Sequence, residues 1–249
     1  MCRVEILFYG DLNDFLPRDL RQRVVPYALD GAVAVKHAIE ALGAPHPEVA
    51  LIRVDGAAVD FAYLLSAGDK VEVYPVTALP SSGPRLLLRP PLPRPPRFVL
   101  DTHLGRLAAY LRVFGLDAVY RNDYDDAGLA QIAAADTRVL LSRDRGLLKR
   151  KAVVYGYCVR DTDPQRQIFD VLRRFVRRDE IRLWQRCLHC NGPLVAVEKA
   201  AVFDRLEPKT QRYYDDFSRC VACGQVYWRG SHVDAMQPLV DEVLARLPE

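Results

Sequence analysis

Two sets of residues in this chain have the types and spacing to do chemistry. The first is sulfur. Cys187-Leu-His-Cys190 and Cys220-Val-Ala-Cys223 are two Cys-x-x-Cys knuckles separated by residues 191–219. Each knuckle presents two thiolates on one side, and zinc takes four tetrahedral ligands. The spacing points to one zinc ion held by all four cysteines, with two disulfides or an iron–sulfur cluster as the competing readings. Four cysteines close the coordination shell, so this zinc is expected to be structural and not catalytic. His189 lies inside the first knuckle without being needed as a ligand. Arg186 and Arg219 directly precede the knuckles and are expected to offset thiolate charge.

The second set is oxygen. Asp101 ends the run FVLD, Asp144 follows a strand in LLSRD, Asp161 follows another in CVRD, and Asp125 and Asp126 open DDAGLAQIAAA. Ligands of open parallel α/β sheets gather at the carboxyl ends of the strands, where these acids fall. Clustered carboxylates repel one another unless a cation intervenes. Mg²⁺ or Mn²⁺ takes carboxylate and water oxygens, activates water and stabilises phosphoryl transfer. Arg143, Arg145, Lys149, Arg150 and Lys151 adjoin Asp144 and suit a phosphate chain. Plainer roles compete. Asp125, Asp126 and Asp144 are placed to cap helices, and Asp161 and Asp163 to make the turn before Pro164. Asp101 resists that reading, because a carboxylate ending an apolar run is costly to bury without a partner.

The elements that must position these groups fall into two regions. The chain has 249 residues, half of them apolar, enough for two domains with real cores. Residues 1–79 hold 7 Lys+Arg against 11 Asp+Glu, while residues 80–249 hold 28 against 21, so an acidic unit precedes a basic one. Arginine dominates the basic side and favours bidentate phosphate contacts, although Arg-rich solvated faces would give the same composition. No apolar stretch is long enough to span a bilayer, and MCRVEILFYG does not read as a signal peptide. A cytoplasmic location with no membrane partner is the expectation. Residues 80–97, PSSGPRLLLRPPLPRPPR, read as a semi-rigid linker.

Before the linker, strands are expected at 4–10, 21–29, 48–56, 57–61 and 71–76, with a helix over 32–43. A small mixed sheet crossed by one helix is the β-grasp pattern. After it, strands at 97–101, 117–120, 138–142 and 153–160 alternate with helices at 103–115, 125–135, 143–151 and 164–178. That alternation implies a parallel, three-layer α/β/α sheet. The cysteine pairs then sit among short strands over 181–230, with an inserted loop at 199–217 and a closing helix at 233–247.

FVLDTHLGRLAAYLRVFGLDAVY, LLSRDRGLL, RCLHCNGPL and CVACGQVYWRGSH, in order between Phe98 and Met236, resemble the Mut-seven C-terminal RNase family. That family is a PIN-like nuclease fold with an appended zinc ribbon. VKHAIEALGAPHPEVALIRVDG and GDKVEVYPV are similar to the ubiquitin-like domain fused to it in bacteria. The resemblance implies a β-grasp domain over 1–79, the linker over 80–97, a PIN-like domain over 98–180, and a zinc ribbon with closing helix over 181–249. It implies a metal-dependent ribonuclease with catalytic acids Asp101, Asp126 (Asp125 competing), Asp144 and Asp161. Asp101 and Asp144 would hold Mg²⁺ or Mn²⁺, and Arg106, Arg143, Arg145, Lys149 and Arg150 would contact RNA. Gly230, Ser231 and His232 match a GSH motif after the ribbon, with His232 expected to be structural. The first domain also resembles sulfur carriers such as the molybdopterin-synthase small subunit. It lacks their terminal Gly-Gly, since YPVTALP follows the last strand and the chain runs on. A protein partner of this domain is therefore expected, and no small-molecule cofactor. The alternative function is a non-catalytic RNA- or ribosome-binding adaptor; a third reading makes the first domain a protein-interaction module that the basic half anchors.

Overall fold

Val4, Ile6 and Phe8 alternate with Arg3, Glu5 and Leu7, and that period of two buries one face of the first strand, β1 (Arg3–Phe8). The computed structural model describes residues 2–247, with only the backbone of Ser231 and His232. In chain order β1 is followed by β2 (Val25–Ala28), α1 (Val35–Ala41), β3 (Val49–Val54), β4 (Ala57–Val59) and β5 (Lys70–Pro75). Next come β6 (Phe98–Leu100), α2 (Gly105–Val113), β7 (Ala118–Tyr120), α3 (Asp126–Ala135), β8 (Val139–Ser142), α4 (Arg145–Leu148), β9 (Gly156–Cys158) and α5 (Pro164–Phe175). The last elements are β10 (Leu194–Val197), α6 (Pro208–Tyr213), β11 (Phe217–Cys220), β12 (Val226–Trp228) and α7 (Ser231–Arg246).

The chain divides into two compact units, Met1–Leu92 with Asp126–Cys158, and Pro93–Asp125 with Val159–Glu249. The first unit contains a five-stranded sheet in the order β2-β1-β5-β3-β4. β1 and β5 run parallel, and the other pairs are antiparallel. Val35, Ala38 and Ile39 of α1 are buried with Ile6, Phe8, Ile52 and Val73. Each such large side chain contributes about 1.5–3 kcal/mol through burial. This is the β-grasp arrangement expected from the alternation. The same unit holds α3, α4 and the parallel pair β8 and β9, with Leu140 opposite Gly156 and Ser142 opposite Cys158.

The second unit contains the parallel pair β6 and β7, with Phe98 opposite Ala118. α2 packs on β7 and α5. α5 starts at Pro164, is capped by Asp163 accepting from the Gln165 N–H, and buries Ile168, Val171 and Leu172. β10, β11 and β12 form an antiparallel meander. The stretch expected as an inserted loop contains 3-10 turns and α6. The reason is a small core of its own: Val202, Leu206, Phe217 and Val226, flanked by Val197, Tyr214 and Trp228. No helix among the described residues is long and apolar enough to cross a membrane.

Candidate functional site

The meander brings the two knuckles together. The Sγ atoms of Cys187, Cys190, Cys220 and Cys223 all lie within 4.8 Å of one another. Tetrahedral zinc with Zn–S bonds of about 2.3 Å needs sulfurs roughly 3.8 Å apart. Cys187 and Cys223 are 3.7 Å apart, and Cys190 and Cys220 3.4 Å, so the quartet fits the ion. Among the described residues, this is the group of His, Cys, Asp or Glu side chains that comes within metal-binding reach. Each knuckle turns back through a backbone bond, Asn191 N–H to Cys187 O at 2.9 Å and Gly224 N–H to Cys220 O at 3.0 Å. Asn191 (φ 69°) and Gly224 (φ 75°) are the left-handed residues that make the turns. Asn and Gly tolerate that conformation best.

Backbone N–H groups aim at the sulfurs: Cys190 at Cys187 (3.4 Å), Gly192 at Cys190 (3.4 Å) and Cys223 at Cys220 (3.5 Å). Burial raises the Cys220 thiol, but the N–H groups of Cys223 and Ala222 outweigh it and bring it down to about 6. Burial likewise opposes ionisation of Cys187, and the Tyr227 hydroxyl at 3.1 Å reverses that, leaving its pKa lowered. Both shifts favour the thiolate that zinc requires, whereas burial and the three neighbouring sulfurs push the Cys190 thiol up to about 12, so without a cation the quartet retains a proton there. A Cβ on Gly192 would sit 2.9 Å from Cys220 Sγ, so this position is held open for the sulfurs.

The first knuckle is anchored by residues outside the cysteine motif. Arg112 of α2, 4% exposed, donates to Leu188 O (2.7 Å), His189 O (3.2 Å) and twice to Ala118 O (2.9 and 3.0 Å). Asn191 Oδ1 accepts from Ala118 N–H, and its Nδ2 donates to Asp117. These roles are absent from the sequence reading, which gave charge offset to Arg186 and Arg219. Arg186 donates to Asn191 O, beside the first knuckle. The available signals were a charge on the buried stripe of α2, one turn after Ala108, and an Asn directly after a knuckle.

The acids lie in both units and are described within each. In the second, Asp101 follows β6 and is 8% exposed. Its Oδ1 accepts from Thr102 N (2.6 Å) and Oγ1 (3.1 Å), capping a 3-10 turn. Asp161 accepts from Asp163 N–H at 2.8 Å, and that bond with Arg166 at 3.7 Å lowers its pKa. It lines a cleft of about 560 Å³ with Asp163, Asp170, Arg166, Arg173 and Arg246. Asp125 is exposed and precedes α3. In the first unit, Asp126 opens α3 and lies 3.7 Å from Arg150. Asp144 is exposed at the N-cap of α4, accepts from Gly146 N–H at 2.6 Å, and is steadied by Ser142 Oγ at its own N–H. Arg106 and Arg143 are exposed, whereas Arg145 and Lys149 donate to the carbonyls of Phe15 and Glu40. The side chain of His232 lies outside the described residues.

Residues 96–240 match the family model described as the Mut7-C RNAse domain, and residues 1–79 match that described as Mut7-C ubiquitin. The comparison with curated proteins returns no match. Among solved structures, the crystal structure of H. volcanii small archaeal modifier protein 1 is similar at 20% identity, covering 30% of this chain and 98% of that one, with a TM-score of 0.25.

Proposed function

Since the chain belongs to the Mut7-C RNase domain family and carries a Mut7-C ubiquitin domain ahead of it, we propose that it is a metal-dependent ribonuclease hydrolysing RNA phosphodiester bonds. The observation that carries this reading is Asp101, a buried carboxylate closing the apolar strand β6 inside the matched region. Its oxygens, with those of Asp144, are the hard donors that Mg²⁺ or Mn²⁺ prefers. Asp126 and Asp161 complete the acidic set in this proposal. A divalent ion held there would activate water and offset charge developing on the phosphate. Around it the chain's own groups have separate tasks. Thr102 fixes the Asp101 carboxylate, and Ser142 and Gly146 fix the Asp144 loop. The exposed Arg106 and Arg143 suit the phosphate backbone. The cysteine quartet suits a structural zinc, which orders the ribbon. The chain runs on past β5 as VTALP, so binding and not carrier chemistry is assigned to the ubiquitin-like domain.

Asp101→Asn keeps the size of the side chain and an oxygen for Thr102 while removing the charge. Cleavage should fall at least about a hundredfold, the scale of losing one electrostatic stabiliser. Wild-type rates in a folded Asp101→Asn protein would refute the assignment. The adaptor reading draws on Asp144 and Asp161, which accept backbone N–H groups as ordinary cap and turn residues do. It predicts RNA binding without cleavage, indifferent to Mg²⁺ and to Asp101.

A further inference from the structure

α4 is a single turn of four residues, too short to hold itself in place. Both of its ends are gripped by the ubiquitin-like domain within the same compact unit. At the first end, Arg145 Nη1 donates to Phe15 O at 3.0 Å, and the guanidinium stands 5.1 Å over the Phe15 ring. At the other, Lys149 Nζ donates to Glu40 O at 2.6 Å, in the last turn of α1. Gly43 allows this approach: its φ is +116°, and a Cβ there would meet Phe15 O at 2.7 Å. Strand β9 is held in the same way. The Glu48 carboxylate, on a residue 1% exposed, accepts the Cys158 N–H at 2.6 Å. His46 faces Glu40 Oε1 at 2.7 Å through Nδ1 and Val153 O at 2.8 Å through Nε2. Arg89 ties the linker to the carbonyls of Pro47, Val49 and Val154. A Cβ on Gly156 would come 3.2 Å from Pro47, so β9 and the His46–Glu48 turn are in direct contact.

We infer that the ubiquitin-like domain acts in cis, as a fixed positioning element for α4 and for Asp144 at its N-cap. The Glu48–Cys158 and His46–Val153 contacts are buried, and a buried carboxylate or imidazole deprived of its partner is costly, so the domain is not a tethered passenger. On this inference Arg145 and Lys149 serve the domain contact before any RNA. The consequence for catalysis rests on the nuclease reading, whereas the docking does not.

The test is hydrogen exchange on the full-length protein, wild type against Arg145→Ala/Lys149→Ala, with RNA cleavage measured alongside. Both side chains reach in from the surface, so the fold should survive. Amides of residues 144–150 should exchange at least about tenfold faster, since the variant loses two charge-assisted hydrogen bonds, while β1 and β5 stay protected. kcat should fall with KM unchanged, and Arg145→Lys, which keeps a donor for Phe15 O, should restore part of it. Glu48→Ala should speed exchange at Cys158 as an independent readout. Unchanged exchange in both variants would overturn the inference, and so would a raised KM with unchanged kcat, which would put the two cations on RNA. If the wild type cleaves no RNA, the nuclease reading fails and exchange alone decides the docking.

Discussion

A guanidinium on the buried stripe of α2 is tolerated because every direction it points in has an acceptor. Arg112 reaches Ala118 O with two donors and the first knuckle with a third, so one side chain couples β7 to the Cys187–Cys190 turn. Removing it strands buried carbonyls. Arg112→Ala should cost about 3 kcal/mol and loosen zinc retention, and Arg112→Lys should recover little, because an ammonium lacks the planar fork. Denaturant unfolding with a zinc-release assay measures both; a variant with wild-type stability and wild-type zinc release would contradict the role. At this scale the sequence was uneven. The clustering of the four cysteines was legible because Cys-x-x-Cys spacing is itself the geometry of a knuckle. Arg112 was not, because α2 reads as an ordinary amphipathic helix until its neighbours in β7 and the ribbon are known.

Among the elements, those defined by their own periodicity were legible. β1, β5 and α1 fall within two to three residues of their expected bounds, because alternation and the three-to-four residue repeat are local. The stretch at 199–217 was not, since its small core joins Val202 and Leu206 to Phe217 and Val226 across the ribbon. The linker's proline content was readable, but not that Arg89 would find carbonyls in the His46–Val49 turn and at Val154. The same turn gives a pH prediction. Burial alone would raise the Glu40 pKa, but the His46 hydrogen bond and charge, with Lys36 on the same helix, lower it below 4.5; Lys149 meets only its backbone oxygen. A depressed carboxylate stabilises the fold at neutral pH and loses that contribution as pH falls through its folded value. The stability gap between wild type and Glu40→Gln should therefore shrink as the pH falls below 4.5. Urea midpoints across that range report it, and a gap unchanged down to about pH 3 would show that the Glu40–His46 contact does not stabilise the fold.

At the scale of the molecule, the compact units do not follow the chain. The ubiquitin-like sheet shares its unit with α3, β8, α4 and β9, and the ribbon shares the other with β6, α2, β7 and α5. Stability should therefore respond to metal regionally. Stripping zinc should expose amides of residues 186–228 to exchange while the β1–β5 sheet stays protected, because the thiolates tie together only the ribbon and its anchors. Uniform loss of protection over both units would contradict that division. The proposed RNA hydrolysis at the Asp101 carboxylate is tested by single-turnover cleavage of labelled single-stranded and structured RNA by zinc-loaded protein, with and without added Mn²⁺, beside Asp101→Asn. Cleavage that appears with Mn²⁺ and is lost in the variant is the predicted result. RNA bound equally by both proteins and cut by neither would contradict the claim and leave the adaptor reading in its place.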